Sequence, residues 1–176
     1  LHAATQRSPI ADVRLQALVD SGRPILLVTT HRRENWGQTM QGIGRALRRL
    51  ALAFPERAIV LPAHRNPMVR ECLLPPLVGL ANVLVTEPLA YGEFTQVMAR
   101  SHIVLTDSGG VQEEAPSLGK PVLVMRENTE RPEAVSAGTV RLIGTDEDRL
   151  VREVSALITD AAAYALMSTA VNPYGD

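Results

Sequence analysis

The chain has 176 residues, 45% of them hydrophobic and 21% charged, with a formal net charge of −1. That length supports one domain with a real core and is short for two. The near-zero charge excludes a global field that would draw nucleic acid or an acidic membrane surface.

Cys72 is the only cysteine, which excludes an internal disulfide and leads us to expect a reducing, cytoplasmic setting. No apolar run approaches the ~18–20 residues that span a bilayer, so no membrane partner is expected. The opening LHAATQRSPIADV lacks the features of a secretory signal and has no initiator Met, so the chain reads as part of a longer protein. Lys120 is the only lysine among 18 basic residues; arginine suits bidentate binding of phosphate and carboxylate where it clusters.

In chain order, Ser8-Pro9 followed by Ile10, Val13, Leu15, Leu18 and Val19, with Gly22 beyond, predicts a helix that starts with proline in its first turn. PILLVTT (24–30) is a continuous apolar run, as in a parallel strand buried on both faces. The polar loop 31–38 follows, and then Met40, Ile43, Leu47, Leu50 and Phe54 recur at helical spacing. AIVLPA (58–63) is a second strand, succeeded by the loop HRNP (64–67) and a short helix near 68–74. NVLVTEP (82–88) is a third strand, and Phe94, Val97 and Met98 mark another short helix. HIVLT (102–106), PVLVM (121–125) and TVRLIG (139–144) complete six strands, with a helix at 110–118 and a polar loop with about one helical turn at 126–138. Thr145 and Asp148 resemble a capping box opening a helix with Leu150, Val151, Val154, Leu157 and Ile158 on one face; a last helix covers 160–168.

Six repeats of strand, loop and helix predict an α/β, Rossmann-like three-layer domain built on a parallel sheet. In such sheets ligands sit beyond the carboxyl ends of the strands. The loops 31–38, 64–67, 88–94, 107–114 and 126–133 all follow strands, so they are expected to gather along one edge.

TDSGGVQEE (106–114) places two glycines before a helix, where backbone N–H groups approach a phosphate and the helix dipole favours negative charge. The alternative is a plain turn in which Asp107 or Ser108 caps the helix. Neither a P-loop nor a dinucleotide fingerprint is present: Gly119-Lys120 runs into Pro121, and no G-x-G-x-x-G opens a helix. Glu113 and Glu114 lie in the first turns of that helix; either could complement the dipole or accept from sugar hydroxyls, and spacing does not choose between them. THRREN (30–35) and PAHRNP (62–67) place histidines and arginines after the first two strands, where they could meet phosphate or move a proton. Arg126 and Arg131 come from another strand-end loop. Two histidines without a third ligand at sensible spacing argue against a metal. A Ser-His-Asp set can be drawn from Ser108, His31 or His64, and Asp107, but the strained G-x-S-x-G elbow is missing. His102 and His2 read as structural.

Taken together, THRREN, PAHRNP, TDSGGVQEEAPSLGKPVLVMRENTERPEA (106–134), AGTVRLIGTD (137–146) and NPYGD (172–176) resemble the non-hydrolysing UDP-N-acetylglucosamine 2-epimerases, from about residue 24 to the end. The resemblance implies the C-terminal half of a GT-B arrangement, in which two Rossmann-like halves close over a nucleotide sugar. It further implies interconversion of UDP-N-acetylglucosamine and UDP-N-acetylmannosamine for bacterial cell-surface polysaccharide. The reaction is elimination of UDP to 2-acetamidoglucal and re-addition, without metal or redox cofactor. By motif position, Ser108, Gly109 and Gly110 match the diphosphate turn, Glu114 the ribose-binding glutamate, Phe94 a residue beside uracil, Arg131 a nucleotide-contacting arginine, and His31 a catalytic histidine at the diphosphate. Arg32 and His64 match contacts to a second, activating UDP-N-acetylglucosamine. The carboxylates that handle the carbon-2 proton belong to the family's N-terminal half, so this chain alone is expected to bind UDP and to be inactive; a homodimer is possible for the full-length form. A GT-B glycosyltransferase, a hydrolysing epimerase and a non-catalytic UDP-sugar binding module are the competing readings.

Overall fold

In the computed structural model, residues 10–128 and 132–170 are described, with the backbone alone at 113, 134 and 136. The six apolar runs form strands β1 (Ile25–Thr29), β2 (Ala58–Pro62), β3 (Val83–Thr86), β4 (Ile103–Thr106), β5 (Val122–Val124) and β6 (Val140–Leu142). All are parallel in one sheet of order β3-β2-β1-β4-β5-β6. Each lies within its predicted run and is up to two residues shorter at an end. The helices are α1 (Val13–Asp20), α2 (Gln38–Ala53), α3 (Pro67–Leu73), α4 (Tyr91–Arg100), α5 (Val111–Ser117), α6 (Pro132–Ala137), α7 (Glu147–Thr159) and α8 (Ala161–Ser168). Single 3-10 turns cover Arg33–Asn35 and Pro75–Leu77.

Alternation along the strands divides the core into two layers, because successive side chains of a strand point to opposite faces. Leu26, Val28, Ile59, Leu61, Ile103 and Leu105 pack on the face covered by α2, α3 and α7. Ile25, Leu27, Val60, Val104, Val122 and Val124 pack on the face covered by α1, α4 and α5. The strands therefore read as unbroken apolar runs, since both faces are buried. At roughly 1.5–3 kcal/mol per fully buried aliphatic side chain, this double layer outweighs the weak propensities of such short strands. On the α2 side the helices approach very closely. A Cβ built on Gly44 would lie 2.8 Å from the Leu73 carbonyl oxygen and 3.1 Å from Pro76 Cγ.

Two helix starts differ in detail from the sequence reading. The cap of α1 is Asp12, which accepts from the backbone N–H groups of Arg14 (2.9 Å) and Leu15 (3.2 Å); Ser8 and Pro9 lie outside the described residues. The cap of α7 is Asp146 rather than Thr145, accepting from Arg149 N at 3.0 Å. Replacing Asp146 by Ala is expected to cost about 1 kcal/mol in urea unfolding, whereas Thr145→Ala stays within about 0.5 kcal/mol. Phe94, Val97 and Met98 share a helix as expected, Phe94 lying in the first turn of α4 with its N–H donating to Ala90 O at 2.9 Å.

His102 is structural, as expected. Its ring stacks on Tyr164 at 4.2 Å, and the Tyr164 hydroxyl donates to the His102 carbonyl at 2.8 Å. Burial, with Arg57 and Lys120 nearby, pushes its pKa down to about 4.

Candidate functional site

The strand order reverses between β1 and β4: the chain leaves β1 toward β2 and leaves β4 toward β5. At such a switch point the two following loops diverge and leave a crevice, the usual ligand position in open α/β sheets. The loops concerned are THRREN (30–35) and DSGG (107–110), which the sequence reading singled out independently.

The two strand ends are joined side chain to side chain. Thr29 and Thr106 are paired in the ladder, and their hydroxyl oxygens are 2.6 Å apart. The Thr106 hydroxyl oxygen also accepts from Ser108 N at 2.9 Å, which turns the chain into the glycine pair. Beyond it, α5 follows Gly110 as its N-cap residue, with no side chain capping its first N–H groups. Asp107 and Ser108 therefore do not cap the helix.

Asp107 faces the opposite loop instead. Its carboxylate is fully buried. Oδ2 accepts from the Thr30 hydroxyl (2.9 Å), His31 N (3.0 Å), Arg32 N (3.1 Å) and Asn35 Nδ2 (3.2 Å). Oδ1 faces the His31 ring, with Nδ1 at 3.3 Å. A buried carboxylate is costly unless paired and hydrogen-bonded; burial pushes its pKa up, but the hydrogen bonds from His31, Arg32 and Thr30 outweigh this and hold it below the ordinary value. In turn, the Asp107 hydrogen bond raises the His31 pKa above 6.5 against partial burial and the Arg32 charge.

His31 and His64 come together across the first two strand-end loops, their rings stacked at 6.1 Å and 15°. Asn66 N donates to His64 Nδ1 at 3.2 Å, and Arg70 braces the same loop through the carbonyls of His64 (3.0 Å) and Ala63 (3.2 Å). Arg32 lies beside them, and Glu34 accepts from its Nε at 2.8 Å and from its Nη2. Arg32, Glu34 and Asn35 also border a cleft of about 320 Å³ whose far wall includes Arg126 and Thr145. Glu114 is half-buried on the second turn of α5. Arg131 and the rest of the TERPE segment up to it lie outside the described residues, as does NPYGD; the side chain of Glu113 does too.

The hydrolase combination is met in part, since Asp107 and His31 pair, but the Ser108 hydroxyl makes no hydrogen bond to His31 among the described residues. No group of three or more His, Cys, Asp or Glu side chains suited to a metal occurs among the described residues. No helix there is long and apolar enough to cross a membrane. The residues that sequence reasoning missed are the ones that hold the site: Thr30, Asn35 and the true partner of Asp107. Their signal was present only as position, two buried strands running into polar residues at the carboxyl ends of the β1–β4 pair.

Fold and crevice together define a Rossmann-like domain of the kind found in GT-B proteins. At the level of fold alone, the C-terminal domain of a Francisella tularensis group 1 glycosyltransferase is similar, with a TM-score of 0.67 at 16% identity over 97% of this chain and 93% of that one. The family model described as UDP-N-acetylglucosamine 2-epimerase matches residues 2–176, and the chain belongs to that family. A probable UDP-N-acetylglucosamine 2-epimerase of Ralstonia solanacearum is 57% identical over 154 residues, 88% of this chain and 41% of the relative. The Neisseria meningitidis UDP-GlcNAc 2-epimerase, solved bound to UDP-GlcNAc, has a TM-score of 0.86 at 42% identity, over 93% of this chain and 46% of that one. The S. aureus MnaA–UDP co-structure has a TM-score of 0.89 at 42% identity, over 97% and 46%. The chain thus spans less than half the length of these relatives.

Proposed function

We propose that residues 1–176 are the C-terminal, UDP-binding domain of a two-domain enzyme that interconverts UDP-N-acetylglucosamine and UDP-N-acetylmannosamine in the cytoplasm. In this reading the C1–O bond breaks with its electron pair going to UDP, a proton leaves carbon 2, and a C1–C2 double bond forms. UDP then adds back while a proton returns to the opposite face of carbon 2. This domain holds the leaving diphosphate; the groups that move the carbon-2 proton lie in the other half. The observation that carries the reading is the meeting of the DSGG turn and His31 at the β1–β4 switch point.

Ser108, Gly109 and Gly110 hold the diphosphate. The space over the turn supports this: Gly110 has an ordinary helical φ of −64°, and a Cβ there would meet no atom of the described residues within 4 Å beyond its own turn. No contact among the described residues demands a glycine at that position, whereas close approach of a ligand to the backbone does. His31, whose pKa Asp107 raises, donates from its exposed edge to the charge that develops on the leaving oxygen. Glu114 accepts from the ribose hydroxyls, Phe94 lies beside uracil, and Arg131 neutralises phosphate. Arg32 and His64 form part of a second UDP-N-acetylglucosamine site; the Arg32–Glu34 pair must then open or share its donors with the ligand.

Titration of this chain with UDP, followed by backbone amide shifts, tests the assignment. Shifts are expected at 108–114 and near 131, and their absence at millimolar UDP would sink it. Glu114→Ala and Arg131→Ala are each expected to weaken UDP binding by about 1.5–3 kcal/mol, the worth of a charge-assisted hydrogen bond. Unchanged affinity in both would remove them from the site. Release of free sugar from the full-length protein, in place of UDP-linked epimer, would reassign the chemistry to hydrolysis.

A further inference from the structure

We propose that Asp107 is a positioning residue for His31: its Oδ1 fixes the imidazole with Nδ1 protonated, so that Nε2 is the nitrogen presented to the bound phosphate. This rests on the proposed place of His31 at the diphosphate, but the pairing itself can be read without nucleotide.

The two carboxylate oxygens have separate tasks. Oδ2 serves the loop, with four donors from Thr30, His31 N, Arg32 N and Asn35. Oδ1 is left for the His31 ring at 3.3 Å, with one long contact from His31 N at 3.3 Å. The histidine side chain is 49% exposed and the aspartate side chain 0% exposed, so the ring is anchored by its buried edge and open on the other. Around the ring stand Asp107, the Arg32–Glu34 pair and the stacked His64. Of these, Asp107 is the group within ion-pair distance of a ring nitrogen. A carboxylate accepts only, so the nitrogen facing it carries the proton in both the neutral and cationic ring.

This division makes Asp107→Asn a selective change. An amide whose oxygen keeps the Oδ2 position retains the four loop donors and turns its NH2 toward His31. The ring nitrogen facing it must then accept, which moves the neutral-state proton to Nε2 and removes the partner that favours the cation. In ¹⁵N-detected imidazole spectra of the full chain, the wild type is expected to show neutral His31 as the Nδ1–H tautomer and to titrate above 6.5. In Asp107→Asn the Nε2–H tautomer and titration below 6.5 are expected. Thr30→Val removes one Oδ2 donor without touching the ring and is expected to leave both readouts as in wild type. A wild-type His31 that titrates at or below 6.5, or an Asp107→Asn chain whose tautomer and titration are unaltered, would overturn the proposal. The wild-type measurement stands even where the variant fails to fold. His31 signals that ignore saturating UDP would instead remove histidine from the diphosphate, a separate failure that leaves the pairing intact.

Discussion

Gly44→Val is expected to destabilise the domain by about 3 kcal/mol, the upper part of the range for overpacking a filled site, while Gly42→Ala, two residues earlier on the same helix, is expected to stabilise it. At Gly44 the first added carbon already lies 2.8 Å from a backbone oxygen of Leu73 and 3.1 Å from Pro76, neither of which can rotate away. Valine adds two more carbons and must push α2 off α3 and the following 3-10 turn. That would open the layer in which Leu47, Leu50, Leu73 and Leu77 meet. At Gly42 the nearest atom to a built Cβ is the flexible Arg45 Nη2, at 3.5 Å. There the gain in helix propensity, about 0.5–1 kcal/mol for Gly to Ala, is free to appear. Urea unfolding of the two variants beside wild type reads both signs, and equal midpoints would refute the packing argument.

His31→Gln, made in the full-length enzyme, is expected to lower kcat by about 10²–10⁴-fold, the usual worth of a positioned acid–base or charge-stabilising side chain. The accompanying pH behaviour has a definite sign. Asp107 raises the His31 pKa, so the cationic ring's favourable contribution is fully present below 6.5 and is lost as pH rises through the higher folded value. UDP affinity of this chain should fall as pH rises above the folded value of His31, where binding must first restore the proton, and in His31→Gln that fall should vanish. Asp107 behaves in the opposite sense: its depressed pKa gives stability above the ordinary carboxylate value that is lost as pH falls through the folded one. His102, held down to about 4, opposes folding as pH falls below 6.5, because the unfolded chain then binds the proton more readily. Isothermal titration across pH 6–9 separates the ligand effect from these folding terms.

Much of the architecture was legible because it depends on short-range pattern. Unbroken apolar runs such as ILLVT and IVLT belong to strands covered on both faces, and the spacing of Met40, Ile43, Leu47 and Leu50 belongs to one helix face. The parallel order and the edge where the polar loops gather followed from the repeat of strand and helix. What sequence could not show was which way a loop side chain turns. Asp107 stands where an N-cap would stand, yet it accepts from residues 72 to 77 positions earlier. Local spacing is blind to a partner that only the β1–β4 pairing brings alongside. The same limit applies to Arg32, whose neighbour Glu34 occupies its guanidinium, and to α7, where two adjacent residues, Thr145 and Asp146, both suit a cap. The nucleotide roles of Ser108, Gly109, Gly110, Glu114, Phe94 and Arg131 came from family resemblance and await the UDP titration.

The bond from Thr30 to Asp107 spans 77 positions and closes only when β1 and β4 are side by side. Helices and neighbouring strand pairs can form from nearby segments, but this contact requires the intervening chain to have been drawn in, against the entropy of closing a long loop. The crevice therefore cannot form before β1 and β4 pair, and a chain truncated before β4 has none of it. Nucleotide capture would thus serve as a stopwatch for the pairing of β1 with β4, marking the moment at which these two distant segments first meet.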